Sequence, residues 1–146
     1  QRQTPLMSQN IHGTVVALYL RGQWHGVLIR GHSGAGKSDL ALRLMARGAR
    51  LVVDDRALVW CSQNQAYASA PRTISGQMEI RGVGILPFLS HPLARLRLVV
   101  DASHEEPERL PDQQFTQIAG VAVPSLSLKL THPSAAHVVA AALESL

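Results

Sequence analysis

Eight consecutive residues, Gly31-His32-Ser33-Gly34-Ala35-Gly36-Lys37-Ser38, constrain this chain more than any other stretch. They match G-x-x-x-x-G-K-[ST] at every fixed position, a pattern that works only when a strand runs into it and a helix runs out. Both flanks comply. Residues 27–30 are apolar and predict a strand; residues 37–47 set Leu40, Leu42, Leu44 and Met45 among good helix formers. Gly48 then supplies a helix stop, with Arg43 and Arg47 near the negative end of the dipole. In that setting the backbone N–H groups of residues 34–37 line the phosphates of a nucleotide, at the positive end of the helix. Lys37 is expected to reach the β- and γ-phosphates of ATP, and the Ser38 hydroxyl to serve Mg²⁺, which takes oxygen ligands.

The rest of the chain is read around that loop. A second strand is expected over 14–20, joined to the first by the turn Arg21-Gly22-Gln23. Residues 50–53 are short, β-branched and apolar, as in a buried strand. Further strands are expected at 57–61, 77–80, 85–86, 96–101 and 125–130, and a C-terminal helix at 134–146 with Ser134 as its cap. That helix is apolar on nearly every face except near His137 and Glu144, so it must bury itself against the core or a neighbouring subunit. The fold class is therefore α/β, a P-loop core that is rich in strands and poor in helices. Residues 1–10 are read as a flexible segment, with Met7 a candidate start, and 11–146 as one P-loop domain.

Composition removes several classes of function. With 46% apolar and 16% charged residues the chain has globular composition. No apolar run approaches the ~20 residues of a membrane span, and no signal peptide is visible. The one cysteine, Cys61, cannot close an internal disulfide, so a cytoplasmic location is expected. A net charge of +4 suits any anionic partner, but with Phe, Trp and Tyr at 4% no base-stacking platform exists, and nucleic acid is not expected.

Asp54 and Asp55 end the strand at 50–53, where P-loop enzymes commonly place an aspartate for the metal. Successive strand residues point to opposite faces, so the two are expected to divide their work. One would meet the metal shell and the other would accept a proton from an attacking hydroxyl. Glu79, in Gln77-Met78-Glu79-Ile80-Arg81-Gly82-Val83-Gly84, is a further acidic candidate beside glycines that permit close backbone approach. The Gly82-x-Gly84 spacing is no dinucleotide fingerprint, since Pro87 stands where its third glycine belongs.

Ile11-His12-Gly13, the Gly-Lys-Ser-Asp loop end, the run from Arg47 to Asp54-Asp55-Arg56, and Met78-Glu79-Ile80-Arg81-Gly82-Val83-Gly84-Ile85 together resemble the bacterial HPr kinase/phosphorylase family in order and spacing. The resemblance covers about residues 11–130 and looks like the catalytic C-terminal domain, as in short forms of the family. It implies a Mg-ATP-dependent kinase acting on a serine of HPr, the phosphocarrier protein of the sugar phosphotransferase system. By that resemblance Asp55 is the proton acceptor, Ser38 and Glu79 bind Mg²⁺, Lys37 binds phosphate, and His12 and Arg109 are active-site residues. The resemblance also implies a homo-oligomer, a hexamer. Two departures stand out. Where the family carries an Arg-Pro-Gly-Arg-like segment for reverse phosphorolysis, this chain has Thr131-His132-Pro133-Ser134-Ala135, with no arginine to hold a second phosphate. Asp39 also replaces the usual glutamate after the loop serine. The residues leave two other readings open, a nucleotide-binding regulatory module without transfer and a small-molecule P-loop kinase.

Overall fold

A computed structural model describes residues 8–72, 76–105 and 108–146. In chain order the elements are β1 (Gln9–His12), β2 (Thr14–Leu20), β3 (Gln23–Arg30), α1 (Lys37–Met45), β4 (Arg50–Val53), β5 (Arg56–Ser62), β6 (Gln65–Ser69), β7 (Gln77–Ile80), β8 (Gly84–Pro87), β9 (Leu93–Ala102), β10 (Gln114–Ile118), β11 (Val121–Leu128) and α2 (Ala135–Glu144). The expected β-rich architecture with few helices is what forms. Among the described residues nine strands make one sheet in the order β1-β5-β6-β9-β3-β2-β4, with β11 also on β9 and β10 on β11, while β7 and β8 form a separate hairpin. Among the described residues β9 pairs in parallel with β3 and with β11, and the other strand pairings are antiparallel.

The sheet is buried on both faces, and strand periodicity shows how. Val16 and Leu18 of β2, with Val27 and Ile29 of β3, join Leu40, Ala41 and Leu44 of α1 and Val139 and Leu143 of α2 in one core. Val15, Ala17 and Leu28 face the other way, into a core with Val59 of β5, Ala68 of β6 and Val123 of β11. Helices thus cover one face, and on the other β5 and β6 of the same sheet share a core with β2 and β3. Three two-residue hairpin turns have positive φ at both positions: Arg21 (50°) and Gly22 (77°), Gln63 (51°) and Asn64 (63°), Ala119 (51°) and Gly120 (80°). That geometry matches the right-handed twist of the paired strands. The first turn is accordingly Arg21-Gly22, with Gln23 already paired to Leu20.

Several expectations shift. Gln9 and Asn10 fall in the segment read as flexible, yet they pair with Val59 and Leu58, so the strand starts before residue 11. Strands β1, β6 and β10 were not expected. The buried residues of β6 are the small Ala66 and Ala68, and β10 exposes Phe115. The helix after the phosphate loop ends at Met45 rather than 47; Gly48, at φ 103°, lets the Ala49 N–H return to the Leu44 carbonyl. Ser134 does sit at the N-cap of α2, but its side chain makes no capping hydrogen bond. On α2 the buried residues are Ala135, Ala136, Val139 and Leu143, while Val138 stays exposed. No helix among the described residues is long and apolar enough to cross a membrane.

Strand β3 begins four residues before the expected start at Val27, and the intervening Gly26 sits tight against β9. A Cβ there would lie 2.6 Å from the Arg95 carbonyl oxygen, beside the register shift at which Gly26 faces Leu96 and Val27 faces Leu98. Gly26→Ala is therefore expected to cost about 1–3 kcal/mol through overpacking, read as a lower urea midpoint. Next to it, His25 is buried; its Nε2–H donates to the Leu20 carbonyl and its Nδ1 accepts from Arg97. Burial is the main cause holding its pKa below the ordinary 6.5, with Arg97, Arg21 and Arg95 pushing the same way. The unfolded chain takes up that proton at higher pH than the fold does. Stability from neutral His25 is thus intact above about pH 6.5 and is lost as pH falls from there through the depressed folded value. Urea titrations of the protein and of His25→Gln across that window should show a shallower acid loss in the variant.

Candidate active site

The phosphate loop leaves β3 directly and enters α1, as its motif requires. Gly34 (φ 87°) and Gly36 (φ 103°) take left-handed backbone conformations that other residues adopt only with strain. Nothing stands within 4 Å of where a Gly34 side chain would begin, which leaves that stretch of backbone open to a ligand. Gly31 is a glycine for a different reason: a Cβ would lie 2.8 Å from the Cβ of Ala102 at the end of β9. Behind the loop, Arg30 and Asp101 close the ends of parallel β3 and β9 with a two-pronged ion pair, Nε to Oδ1 at 2.8 Å and Nη2 to Oδ2 at 3.1 Å. Lys37 is buried, and its ammonium donates to the carbonyls of Gly31 at 2.9 Å and His32 at 3.0 Å. No carboxylate pairs with it among the described residues. An anion in the loop would supply the missing counter-charge.

The two aspartates are set apart by the local backbone. Val15 faces Val53 and Val16 faces Leu51, so Val52 is an extra residue in β4, a bulge of the kind that re-aims the side chains beyond it. Asp54 Oδ1 accepts hydrogen bonds from Ser38 Oγ at 2.8 Å and from Thr14 Oγ1 at 3.0 Å. Asp55 sits at φ 72° and turns outward, where its Oδ1 lies 3.5 Å from His12 Nε2. A cavity of about 350 Å³ opens there, lined in part by His12, Arg30, Val59 and Ile118. A larger one of about 450 Å³, between β9, β11 and the end of α2, includes no residue of the phosphate loop.

The structure thus brings Gly31-His32-Ser33-Gly34-Ala35-Gly36-Lys37-Ser38, Asp54, Asp55 and His12 together. Glu79 and Arg109 are not joined to them by any hydrogen bond or ion pair among the described residues. Glu79 is exposed on β7, next to buried Met78. Arg109 is exposed in the loop between β9 and β10. That loop does reach the site through His104, whose ring stacks on His32 with centroids 6.0 Å apart.

Thr14, the Arg30–Asp101 pair and His104 escaped the sequence reading, which placed Arg43 only as a charge at the helix end. Asp101 had a legible signal, as a carboxylate ending an expected strand. Arg43 joins α1 to the segment after β11, donating to the carbonyls of His132 at 3.0 Å and of Leu130, and pairing with Asp39. That segment packs on the phosphate loop, since a Cβ at Gly36 would lie 3.0 Å from Thr131 Cγ2.

No group of three or more His, Cys, Asp or Glu side chains among the described residues could hold a metal ion unaided. The donor set still suits Mg²⁺, which keeps waters and is commonly bound by one or two carboxylates together with substrate phosphates. Ser38, Asp54 and the open loop backbone offer hard oxygen ligands and a phosphate cradle side by side.

Comparison with known proteins identifies a family. Residues 5–145 match the family model described as the HPr Serine kinase C-terminal domain. The chain is 37% identical over 133 residues to the HPr kinase/phosphorylase of Limosilactobacillus reuteri (strain DSM 20016), covering 82% of this chain and 40% of that protein. It is 34% identical over 131 residues to that of Geobacillus thermodenitrificans (strain NG80-2), covering 81% and 41%. It therefore spans well under half the length of these relatives. The Hpr(Ser) kinase/phosphatase structure from Coxiella burnetii shares the fold, with a TM-score of 0.79, 24% identity, and coverage of 94% of this chain and 95% of that one. The family model spans nearly the whole chain, and on that ground the chain belongs to the HPr serine kinase C-terminal domain family.

Proposed function

We propose that this domain is an ATP-dependent protein kinase that transfers the γ-phosphoryl group to a serine hydroxyl of HPr, the phosphocarrier protein of the sugar phosphotransferase system. One observation carries the reading: Asp54 bonds the phosphate-loop serine while its neighbour Asp55 turns outward beside His12. A carboxylate for the metal and a carboxylate for the acceptor are thereby presented side by side.

Lys37 and the loop N–H groups hold the β- and γ-phosphates. Ser38 and Asp54 serve Mg²⁺, which when bound neutralises charge on the phosphate oxygens. Asp55, exposed and paired only to His12 among the described residues, accepts the proton of the attacking serine. His12 lines the neighbouring cavity and orients that carboxylate. Glu79 as a further Mg²⁺ ligand and Arg109 as an arginine for the transferring group rest on family likeness, as does the hexameric homo-oligomer. The forward direction is favoured over phosphorolysis. The segment 131–135 has no arginine, and the guanidinium of Arg43 nearby is engaged by two carbonyls and Asp39.

Incubation with Mg-ATP and HPr, read as phosphoserine by mass spectrometry, tests the proposal. Asp55→Asn is expected to lower transfer roughly 10²–10⁴-fold while ATP binding persists. Lys37→Ala should lose both. ATP binding with no phosphoserine in the unaltered protein would instead favour the regulatory module. Adding inorganic phosphate to phosphorylated HPr is expected to release no pyrophosphate.

A further inference from the structure

Thr14 touches neither nucleotide nor acceptor in the kinase reading, yet both aspartates depend on it. It is the first residue of β2 and is completely buried. A hydroxyl in that position must find partners inside the protein, and it finds two. Its Oγ1 donates to Asp54 Oδ1 at 3.0 Å and accepts the Asp55 N–H at 3.2 Å. One side-chain oxygen therefore holds the carboxylate of one aspartate and the backbone of the next.

We infer that Thr14 is the positioning residue that keeps Asp54 and Asp55 in separate tasks, an inference that rests on the kinase reading for what those tasks are. With Thr14 and Ser38 both donating to Oδ1, Asp54 cannot rotate freely, and Oδ2 is left for the metal or its water. Asp55 is held in a left-handed conformation that persists only where its surroundings impose it. Those surroundings are the Thr14 hydroxyl on its N–H and the Gly13 N–H on its carbonyl at 2.9 Å. Gly13 is itself confined, since a Cβ would lie 2.7 Å from Leu28 Cδ1. The Gly13-Thr14 pair thus clamps the Asp54-Asp55 pair. Valine matches threonine in shape and lacks only the hydroxyl, so Thr14→Val isolates the two hydrogen bonds, while Thr14→Ser keeps them and removes the methyl.

The test uses the full chain with ATP, titrated with and without Mg²⁺, alongside transfer to HPr. In Thr14→Val the gain in ATP affinity that Mg²⁺ confers is expected to shrink about tenfold, with metal-free ATP affinity unchanged. The kcat for transfer should fall about 10- to 100-fold with little change in the KM for HPr. Thr14→Ser should recover most of both. Because Thr14 acts on the metal side through Asp54, adding Thr14→Val to Asp54→Asn should reduce the Mg²⁺ gain little further. A wild-type Mg²⁺ gain in Thr14→Val, a serine variant as impaired as the valine one, or additive losses in the double variant would each overturn the role. So would the lack of any Mg²⁺ gain in the unaltered protein. If the unaltered protein leaves HPr unlabelled, the kinase reading fails on its own, and the nucleotide titrations still decide Thr14.

Discussion

The parallel pairing of β3 with β9 is the constraint on which the site depends. It brings Arg30 and Asp101 into register at the strand ends, and it places Ala102 so close to the first residue of the phosphate loop that only glycine fits at position 31. The ion pair is about one-third exposed on each side, so its energetic worth is modest. Its two-pronged geometry matters more, because it fixes where β3 ends and hence where the loop begins. From that start the chain needs left-handed glycines at 34 and 36 to turn into α1, and the turn leaves Lys37 buried against its own loop carbonyls.

A second set of contacts presents the acidic side of the site. Strand β2 lies between β3 and β4, so its first residue, Thr14, is beside both the loop strand and the strand that ends in Asp54. The bulge at Val52 puts Val52 and Val53 into one core together, and the chain leaves the sheet immediately afterwards. Burial of that pair anchors the turn, and the Thr14 hydroxyl sets its direction. The same economy appears after β11, where Arg43 ties the segment beside Gly36 to the helix that the loop begins. The phosphate loop is thus flanked by two backbone segments, one bonded by the Thr14 hydroxyl and the other by the Arg43 guanidinium.

Legibility followed hydrophobicity. β2 and β4 were readable to the residue because valine and leucine predominate among their buried side chains, and β7 was readable from its Gln77–Ile80 segment between turn signals. β1 and β6 were not, because β1 is a polar strand at the sheet edge and β6 buries only alanines, so neither carries an apolar alternation strong enough to stand out. At the site, the phosphate loop was legible because its residues are contiguous and each fixed position has its own physical reason. Arg109 entered by likeness to a family rather than by chemistry visible in the chain, and Glu79, a bare acidic candidate beside glycines, took its metal role from the same likeness.

By itself the sequence determined the phosphate loop, the strand and helix on either side of it, and the adjacent aspartates, since each of these depends on residues within a few positions of one another. Only the tertiary structure decided which groups those residues meet. Thr14 and Asp54 are 40 residues apart and Arg30 and Asp101 are 71 apart. No local pattern marks a threonine at a strand start or an arginine at a strand end as a partner. Their contacts arise because burial on both faces of the sheet fixes strand order and register, and register alone decides which polar side chains come within hydrogen-bonding distance.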